Sequence, residues 1–362
     1  MNEAVIVDAI RTPIGRYAGA LKDVRPDDLA ALVIKKIVER NNINPEEIED
    51  VFFGCSNQAG EDNRNVARMA VLLSGLPYTV PGATFNRLCG SALQAVNSAA
   101  QAIQTGQGDI IIAGGVESMT RSPFVMGKAT TEFPRGEITM YDSTIGWRFV
   151  NPKMVEQYPP ISMGETAENV AEKYSISREE QDEFAYHSQM KAVAAIKEGK
   201  FKGEIIPVPI PQKKGEPIMF DTDEHPRADT TKEKLAALKP AFRKNGTVTA
   251  GNSSGINDGA SAVLLMSKKK ALELGFKPMA KIIATGVAGV HPSYMGVGPI
   301  PATQKALKRA GLTVDQLDVI ELNEAFASQA LICIRELGLD VSKINANGGA
   351  IALGHPLGCT DL

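Results

Sequence analysis

Short apolar segments alternate with amphipathic helical segments up to residue 119, and the same alternation returns after Gly251. Ala4–Ile10, Val51–Gly54 and Asp109–Ala113 are short apolar runs of the kind that form buried strands. Between the first two runs, Arg25–Arg40 places apolar residues at helical spacing. Alternation of this kind predicts an α/β fold in which helices cover a mostly parallel sheet.

The second stretch repeats the element order of the first. Val51–Ser74 matches Val319–Leu337, and the segment from Thr84 to Met119 should match the one that begins at Lys343. This is a weak internal repeat of one set of strands and helices. The strands predicted after Gly251 are Ala260–Met266, Ala280–Ala284, Val319–Leu322 and Ile344–Ala346.

The region between the two stretches, residues 120–249, has a different character. Prolines cluster in it, and it contains charged helical segments such as Ser177–Gly199. We interpret it as an inserted loop domain with helices of its own. The chain of 362 residues then divides into an N-terminal core domain (residues 1–119 and 250–273), the inserted loop domain and a C-terminal core domain (residues 274–362).

Composition excludes several classes of function. The formal net charge of −3 argues against non-specific nucleic-acid binding, which needs a basic face. No apolar run reaches the length of a membrane span, and the segment that begins at Met1 lacks the pattern of a signal peptide. The four histidines show no metal-ligand spacing, and we expect no tightly bound cofactor. The cysteines are too few and too scattered for a disulfide framework, which predicts a cytoplasmic protein; they are Cys55, Cys89, Cys333 and Cys359.

Cys89 is a candidate nucleophile. It stands just before a helix predicted from about Ser91 to Gln104, and Gly90 beside it leaves room for a substrate carbonyl. The positive end of the helix dipole favours the thiolate there. The alternative is a buried structural cysteine, since free cysteine is among the residue types most often buried.

His355 and Asn323 lie in two further turns of the second stretch. His355 follows a glycine-rich segment and precedes Pro356, and a histidine there could deprotonate a cysteine. Asn323 follows a predicted strand and could orient a water or bind an oxyanion. The alternatives are a histidine whose hydrogen bonds are satisfied within its turn, and an asparagine that caps a helix.

Two segments are candidates for ligand contacts. The polar turn that contains Ser254 precedes a strand and could contact a ligand amide, or it is a plain loop. The basic residues around Arg227 could meet phosphates, or they form a solvated surface.

Taken together in this order, five segments resemble the thiolases, and the resemblance runs from Val5 to Thr360. The segments are Asn86-Arg87-Leu88-Cys89-Gly90-Ser91, Gly114-Gly115-Val116-Glu117-Ser118-Met119, Gly251-Asn252-Ser253-Ser254-Gly255, Asn323-Glu324-Ala325-Phe326 and Gly348-Gly349-Ala350-Ile351-Ala352-Leu353-Gly354-His355-Pro356. The stretches Phe53–Gly75 and Thr144–Pro152 look most like the β-ketoadipyl-CoA and acetyl-CoA thiolases. The resemblance implies a thiolase fold of two repeated βαβαβ core domains in α-β-α-β-α layers.

The resemblance also implies roles for individual residues. Cys89 would carry the acyl group, and His355 would activate it. His355 and a water held by Asn323 would stabilise the enolate oxygen of the second acyl-CoA. Ser254 would touch the pantetheine of CoA, and Arg227 would lie near its adenine and phosphates. The acyl pocket would be walled by Met163, Ala325 and Phe326, next to Ser162, where many members have a histidine. CoA and acyl-CoA would be the substrates, and thiolases are homodimers or homotetramers.

One departure from the family pattern concerns the end of the sequence. The family places a second cysteine in a Cys-x-Gly-Gly-Gly-x-Gly turn, which removes or returns the α-proton, and no such segment follows His355 here. Cys359 stands too soon after His355 to replace it, and Asp361-Leu362 departs from the small residues expected there. We therefore expect a truncated C-terminal core and impaired turnover. The competing hypotheses are a relative of the ketoacyl synthases and a non-catalytic CoA-binding remnant.

Overall fold

A computed structural model gives the fold of residues 2–360. The last two residues, Asp361 and Leu362, lie outside the described part, and so does the departure predicted for them. The strands are β1 (Ala4–Arg11), β2 (Gly15–Arg16), β3 (Asp50–Gly54), β4 (Ala83–Phe85), β5 (Ile110–Ser118), β6 (Phe124–Met126), β7 (Met140–Asp142), β8 (Val208–Ile210), β9 (Ile218–Phe220), β10 (Asn257–Ser267) and β11 (Ala280–Lys281).

The helices include some, such as the one within Arg25–Arg40, that the spacing of apolar residues predicts. They are α1 (Pro26–Arg40), α2 (Val66–Leu73), α3 (Ser91–Gln104), α4 (Pro152–Gln157), α5 (Met163–Lys173), α6 (Arg178–Glu198), α7 (Lys232–Ala236), α8 (Lys268–Glu273), α9 (Pro299–Ala310), α10 (Ala327–Leu337) and α11 (Ala350–Leu353). Helix α3 has the bounds predicted from the sequence. Helix α6 confirms the helical segment Ser177–Gly199, with Ser177 and Glu180 forming a capping box at its start.

The principal sheet has seven strands in the order β11-β1-β10-β5-β3-β4, with β2 paired to β10. Only β3 pairs in parallel, with β4 and β5, whereas β10 runs antiparallel to both β1 and β5. The expectation of a mostly parallel sheet is therefore wrong. Asp258 at the start of β10 pairs with Ser118 at the end of β5, so the chain returns from the inserted region at the end of the sheet where it left. A strand that starts at that end must run in the opposite direction.

Helices cover both faces of this sheet. Alternate residues of β5 point to opposite faces, as the two-residue period of a strand requires. Ile110 and Ile112 belong to the apolar cluster that includes α1 and α2, and Ile111 belongs to the cluster formed with α3. In this arrangement of three layers, helix, sheet and helix, the start of α3 lies at the carboxyl end of β3.

The second half of the chain builds less sheet than predicted. The expected strands Val319–Leu322 and Ile344–Ala346 reduce to one parallel bridge between Ile320 and Ile344, and Ala280–Ala284 reduces to β11. Val319 and Ile283 are exposed, so within residues 2–360 no further strand covers these segments. Helices α5 and α6 of the inserted region pack against α10, and α6 also packs against α11.

The expected domain division agrees in one respect with the sheet. Strand β10 lies between β1 and β5, so residues 257–267 belong to the same sheet as the N-terminal segment. The domain boundaries themselves stay a prediction. None of the helices in the described part is long and apolar enough to cross a membrane.

Candidate active site

The turn before α3 presents the thiol of Cys89. Leu88 adopts a left-handed φ of 49°, and the Asn86 side chain accepts a hydrogen bond from its backbone N–H at 3.0 Å. The Ser91 hydroxyl accepts from the Arg87 N–H at 2.8 Å and donates to the Leu88 carbonyl at 2.6 Å. These local bonds fix a half-buried Cys89 at the positive end of a helix of 14 residues.

The other cysteines of known burial differ from Cys89 in exposure. Cys359 is 8% exposed, and Cys55 and Cys333 are 0% exposed. Burial is the main cause that raises the pKa of the Cys55 thiol, and it raises the pKa of the Cys333 thiol to about 11. The alternative of a buried structural cysteine therefore fits these two residues better than it fits Cys89.

His355 is held in a buried turn that only glycine permits. Gly354 has a φ of 105°, and a Cβ atom there would lie 2.7 Å from the Asn257 side chain. The same side chain accepts a hydrogen bond from the His355 backbone N–H at 2.9 Å. His355 is 3% exposed, and burial lowers the pKa of its imidazole to about 4. The ring is therefore neutral at pH 7 and able to accept a proton.

Asn323 stands beside this imidazole. Its Nδ2 is 3.4 Å from His355 Nε2, while its buried Oδ1 has no hydrogen-bond partner within residues 2–360. Helix α10 begins only at Ala327, with Phe326 as its N-cap, so the alternative of Asn323 as a helix cap is wrong. A buried carbonyl oxygen without a donor is costly, and it is suited to bind a water or a ligand.

Two glycines of the sheet let the turn of His355 approach the start of α3. A Cβ atom on Gly115 would lie 2.1 Å from the Gly358 carbonyl oxygen, and one on Gly54 would lie 2.5 Å from the same atom. The Cβ on Gly54 would also lie 2.4 Å from the Ala92 nitrogen, in the first turn of α3. The segments that carry Cys89 and His355 thus pack on the same two glycines, although they are far apart in the sequence.

Glu117, for which the sequence predicts no role of its own, secures this junction. Its buried carboxylate accepts hydrogen bonds from the Gly358 N–H and the Ser56 N–H, both at 2.9 Å, and from the Asn57 N–H at 3.1 Å. The Ser56 hydroxyl donates to it as well. Burial raises the pKa of Glu117, and these bonds oppose the rise. A single carboxylate in an otherwise apolar strand was the signal that could have identified it.

Ser254, Ala325 and Phe326 also come together. The Ser254 N–H donates to the Ala325 carbonyl at 3.0 Å, and Ser253 pairs with Phe326 in an isolated bridge. The Phe326 ring meets the Phe242 ring edge-on at 6.0 Å. Phe242 lies against Gly164, next to Met163, which is 42% exposed at the start of α5.

Arg227 lies at the border of the same region. Its side chain is exposed, and its backbone N–H donates to Gln189 Oε1 at 2.9 Å. Two residues before it, His225 packs so closely on Gly255 that a Cβ atom there would lie 2.4 Å from the ring. His225 was not singled out in the sequence, because its contacts with Gly255 come from distant parts of the chain. No group of His, Cys, Asp and Glu in the described part could hold a metal ion.

Two family models match the chain. The model described as "Thiolase, N-terminal domain" matches residues 4–269, and the model described as "Thiolase, C-terminal domain" matches residues 276–362. The chain belongs to the thiolase family. It is an acyl-CoA thiolase, and thiolases are acyltransferases, so the resemblance drawn from the five segments is confirmed.

The relatives of this thiolase agree with that assignment. It is 58% identical to a β-ketoadipyl-CoA thiolase of Acinetobacter baylyi, and the alignment covers 99% of this chain and 90% of the relative. Identity and coverage are the same for the 3-oxoadipyl-CoA/3-oxo-5,6-dehydrosuberyl-CoA thiolase of Escherichia coli. The crystal structure of the Bacillus anthracis acetyl-CoA acetyltransferase superposes with a TM-score of 0.92 at 45% identity, covering 99% of this chain and 89% of that one.

These comparisons confirm the thiolase fold. They do not support the expectation that the C-terminal core is truncated and turnover impaired.

The exposure of the thiols predicts their order of reaction. In the folded thiolase at pH 7, iodoacetamide should alkylate Cys89 faster than Cys55 and Cys333, because burial and a raised pKa suppress the thiolates of both. Peptide mapping by mass spectrometry after timed quenching measures the three rates. Equal rates in folded protein would contradict the assignment of Cys89 as the reactive thiol.

Proposed function

We propose that this thiolase transfers an acyl group between CoA and Cys89, in thiolytic cleavage or Claisen condensation of a 3-oxoacyl-CoA. One observation supports the proposal above the others. A neutral, buried imidazole has its Nε2 beside an amide whose oxygen has no partner, in a turn packed against the helix that starts after Cys89. This arrangement provides a nucleophile, a base and a site for a polarising water.

In the direction of cleavage, His355 Nε2 takes the proton of the Cys89 thiol. The thiolate attacks the 3-oxo carbonyl, a carbon–sulfur bond forms, and the bond between C2 and C3 breaks. The electron pair of that bond leaves as the enolate of an acetyl-CoA, whose oxygen is stabilised by His355 and by a water at Asn323. Protonation of the enolate carbon needs a second acid, to which we assign no residue of the described part. Free CoA then loses its thiol proton to the group that protonated the enolate, and its sulfur attacks the thioester. The bond between the acyl carbon and the Cys89 sulfur breaks, and Cys89 regains the proton held by His355.

We also assign contacts with CoA to the same region. We assign Ser254 to the pantetheine, because its turn is bonded to Ala325 beside Asn323. Arg227 is assigned to the phosphates and adenine, since its side chain is exposed and it follows two residues after His225, which packs on Gly255 of that turn. The half-exposed apolar side chains at the start of α5 and before α10 suit an acyl pocket; they are Met163, Ala325 and Phe326.

The acyl substrate is proposed from the relatives. Those with 58% identity are named for β-ketoadipyl-CoA and 3-oxoadipyl-CoA, and the solved acetyltransferase, at 45%, is named for acetyl-CoA. We therefore propose β-ketoadipyl-CoA as the substrate of cleavage.

We also propose a homodimer or homotetramer. Strand β4 is the edge of the sheet, so one side of its backbone is open to pairing with a second copy. The hairpin of β6 and β7 exposes large apolar side chains, namely Phe124, Met126 and Met140. Exposed apolar clusters of this kind are typical of protein interfaces.

The test uses the chain with β-ketoadipyl-CoA, in the presence and absence of free CoA. With CoA we expect consumption of the substrate, and with acetyl-CoA alone we expect an acetyl adduct on the peptide that contains Cys89. Mass spectrometry locates the adduct, and calorimetry measures CoA binding separately. Binding of CoA without any adduct would contradict the proposal and favour a non-catalytic CoA-binding protein.

A further inference from the structure

The two ring nitrogens of His355 have different neighbours. Nε2 faces Asn323, whereas Nδ1 lies 2.8 Å from the hydroxyl oxygen of Thr360. A neutral imidazole carries one N–H, so one nitrogen donates and the other presents a lone pair. Whatever decides the position of that proton decides whether Nε2 can act as a base.

The chain turns back after His355 in a way that brings Thr360 onto the ring. The Pro356 carbonyl accepts hydrogen bonds from the Cys359 N–H at 2.8 Å and from the Thr360 N–H at 3.2 Å. The Thr360 hydroxyl donates to the same carbonyl at 3.1 Å. With its only hydrogen directed to Pro356, the hydroxyl presents a lone pair to Nδ1.

We infer that Thr360 is a positioning residue, which keeps the proton of His355 on Nδ1 and leaves the lone pair of Nε2 directed to the active site. The inference rests on the proposed function, in which Nε2 takes the proton of Cys89. We assign Thr360 no contact with the substrate, and its role is exerted through the imidazole. The arrangement corresponds to the orienting partner of a catalytic histidine, with a neutral hydroxyl in place of a carboxylate.

Thr360→Val keeps the size of the side chain and removes the hydroxyl, while Thr360→Ser keeps the hydroxyl. We expect Thr360→Val to slow acetylation of Cys89 by acetyl-CoA about 10- to 100-fold, by analogy with loss of the hydrogen-bond partner of a metal-ligating histidine. Thr360→Ser should stay within about threefold of the parent, since the donor and acceptor remain. Thr105→Val is the matched control, because the Thr105 hydroxyl also donates to the carbonyl four residues earlier, at 2.9 Å, but lies at the far end of α3.

A second measurement does not depend on the rate of any variant. In protein labelled with 15N-histidine, four histidines contribute signals, and His355→Gln identifies those of His355. We expect the parent to carry the proton on Nδ1 at pH 7, and Thr360→Ser to retain it there. A proton on Nε2 in the parent would overturn the inference, even if Thr360→Val did not fold.

The outcomes separate this inference from the proposed function. If His355→Gln acetylates Cys89 at the parental rate, the proposed role of His355 fails. If His355→Gln is slow while Thr360→Val matches the parent and Thr105→Val, only the inference about Thr360 fails.

Discussion

Replacement of Cys89 by alanine should abolish acyl transfer, with a loss on the order of 10⁴- to 10⁶-fold, as for removal of the nucleophile from a covalent catalyst. The reason is the burial of the thiols that remain, which are Cys55, Cys333 and Cys359. Cys55 and Cys333 are fully buried, and burial raises the pKa of both. The measurement is the rate of thioester formation from acetyl-CoA, followed by mass spectrometry, beside the cleavage of β-ketoadipyl-CoA.

Cys333→Ala is the matched control for this experiment. It removes a thiol of the same kind from the interior of α10, where the Cys333 sulfur approaches the Gly296 carbonyl at 3.5 Å, and it should leave the acetylation rate within about twofold of the parent if the protein stays folded. An acetyl adduct that forms at the parental rate in Cys89→Ala would refute Cys89 as the carrier of the acyl group.

Replacement of Glu117 by glutamine should lower the free energy of unfolding by about 3 kcal/mol. The carboxylate accepts hydrogen bonds from the backbone of Ser56, Asn57 and Gly358 and from the Ser56 hydroxyl. The glutamine amide has one oxygen that can accept hydrogen bonds. Its NH₂ group would replace the second carboxylate oxygen, and a backbone N–H that donated to that oxygen would then have no acceptor. Each buried donor left without a partner costs about 1–3 kcal/mol. Urea unfolding followed by circular dichroism gives the change.

Glu39→Gln provides the comparison. Glu39 lies on the exposed side of α1, and its ion pairs within residues 2–360 are with the lysines of its own helix. Its replacement should therefore change the free energy of unfolding by less than about 0.5 kcal/mol. If Glu117→Gln unfolds at the same urea concentration as the parent, the buried carboxylate does not hold the turn of His355 to the sheet.

The sequence predicts best those turns and helix ends that depend on residues close together in the chain. The turn at Cys89 and the bounds of α3 follow from an asparagine, a glycine, a serine and helical spacing within a few residues of one another. The direction of β10 could not be predicted, because strand periodicity contains no information about which end of the sheet the chain re-enters. The prediction of the strands Val319–Leu322 and Ile344–Ala346 was wrong for a related reason, because an apolar run forms a strand only where a neighbouring strand pairs with it.

The missed site residues have partners that are distant in sequence. Glu117 is bonded to Gly358, and Asn257 is bonded to the His355 backbone, so neither pattern is visible within any local window. Thr360 lies close to His355, but its role depends on a turn that brings the hydroxyl back onto the ring. The juxtaposition of Asn323 and His355 agrees with the expected pair, while the roles assigned to both stay predictions.

The position of β10 between β1 and β5 has a consequence for biosynthesis. The middle of the sheet is completed by a strand that begins 139 residues after β5 ends at Ser118, since β10 begins at Asn257. At translation rates of about 5–20 residues per second, the ribosome needs on the order of 10 s to make that interval. During this time β1 and β5 have no partner between them, and unpaired apolar strand edges invite association with other nascent chains. The length of the inserted region therefore determines how long the unpaired strand edges of each nascent chain must be protected from association before β10 is available to complete the sheet.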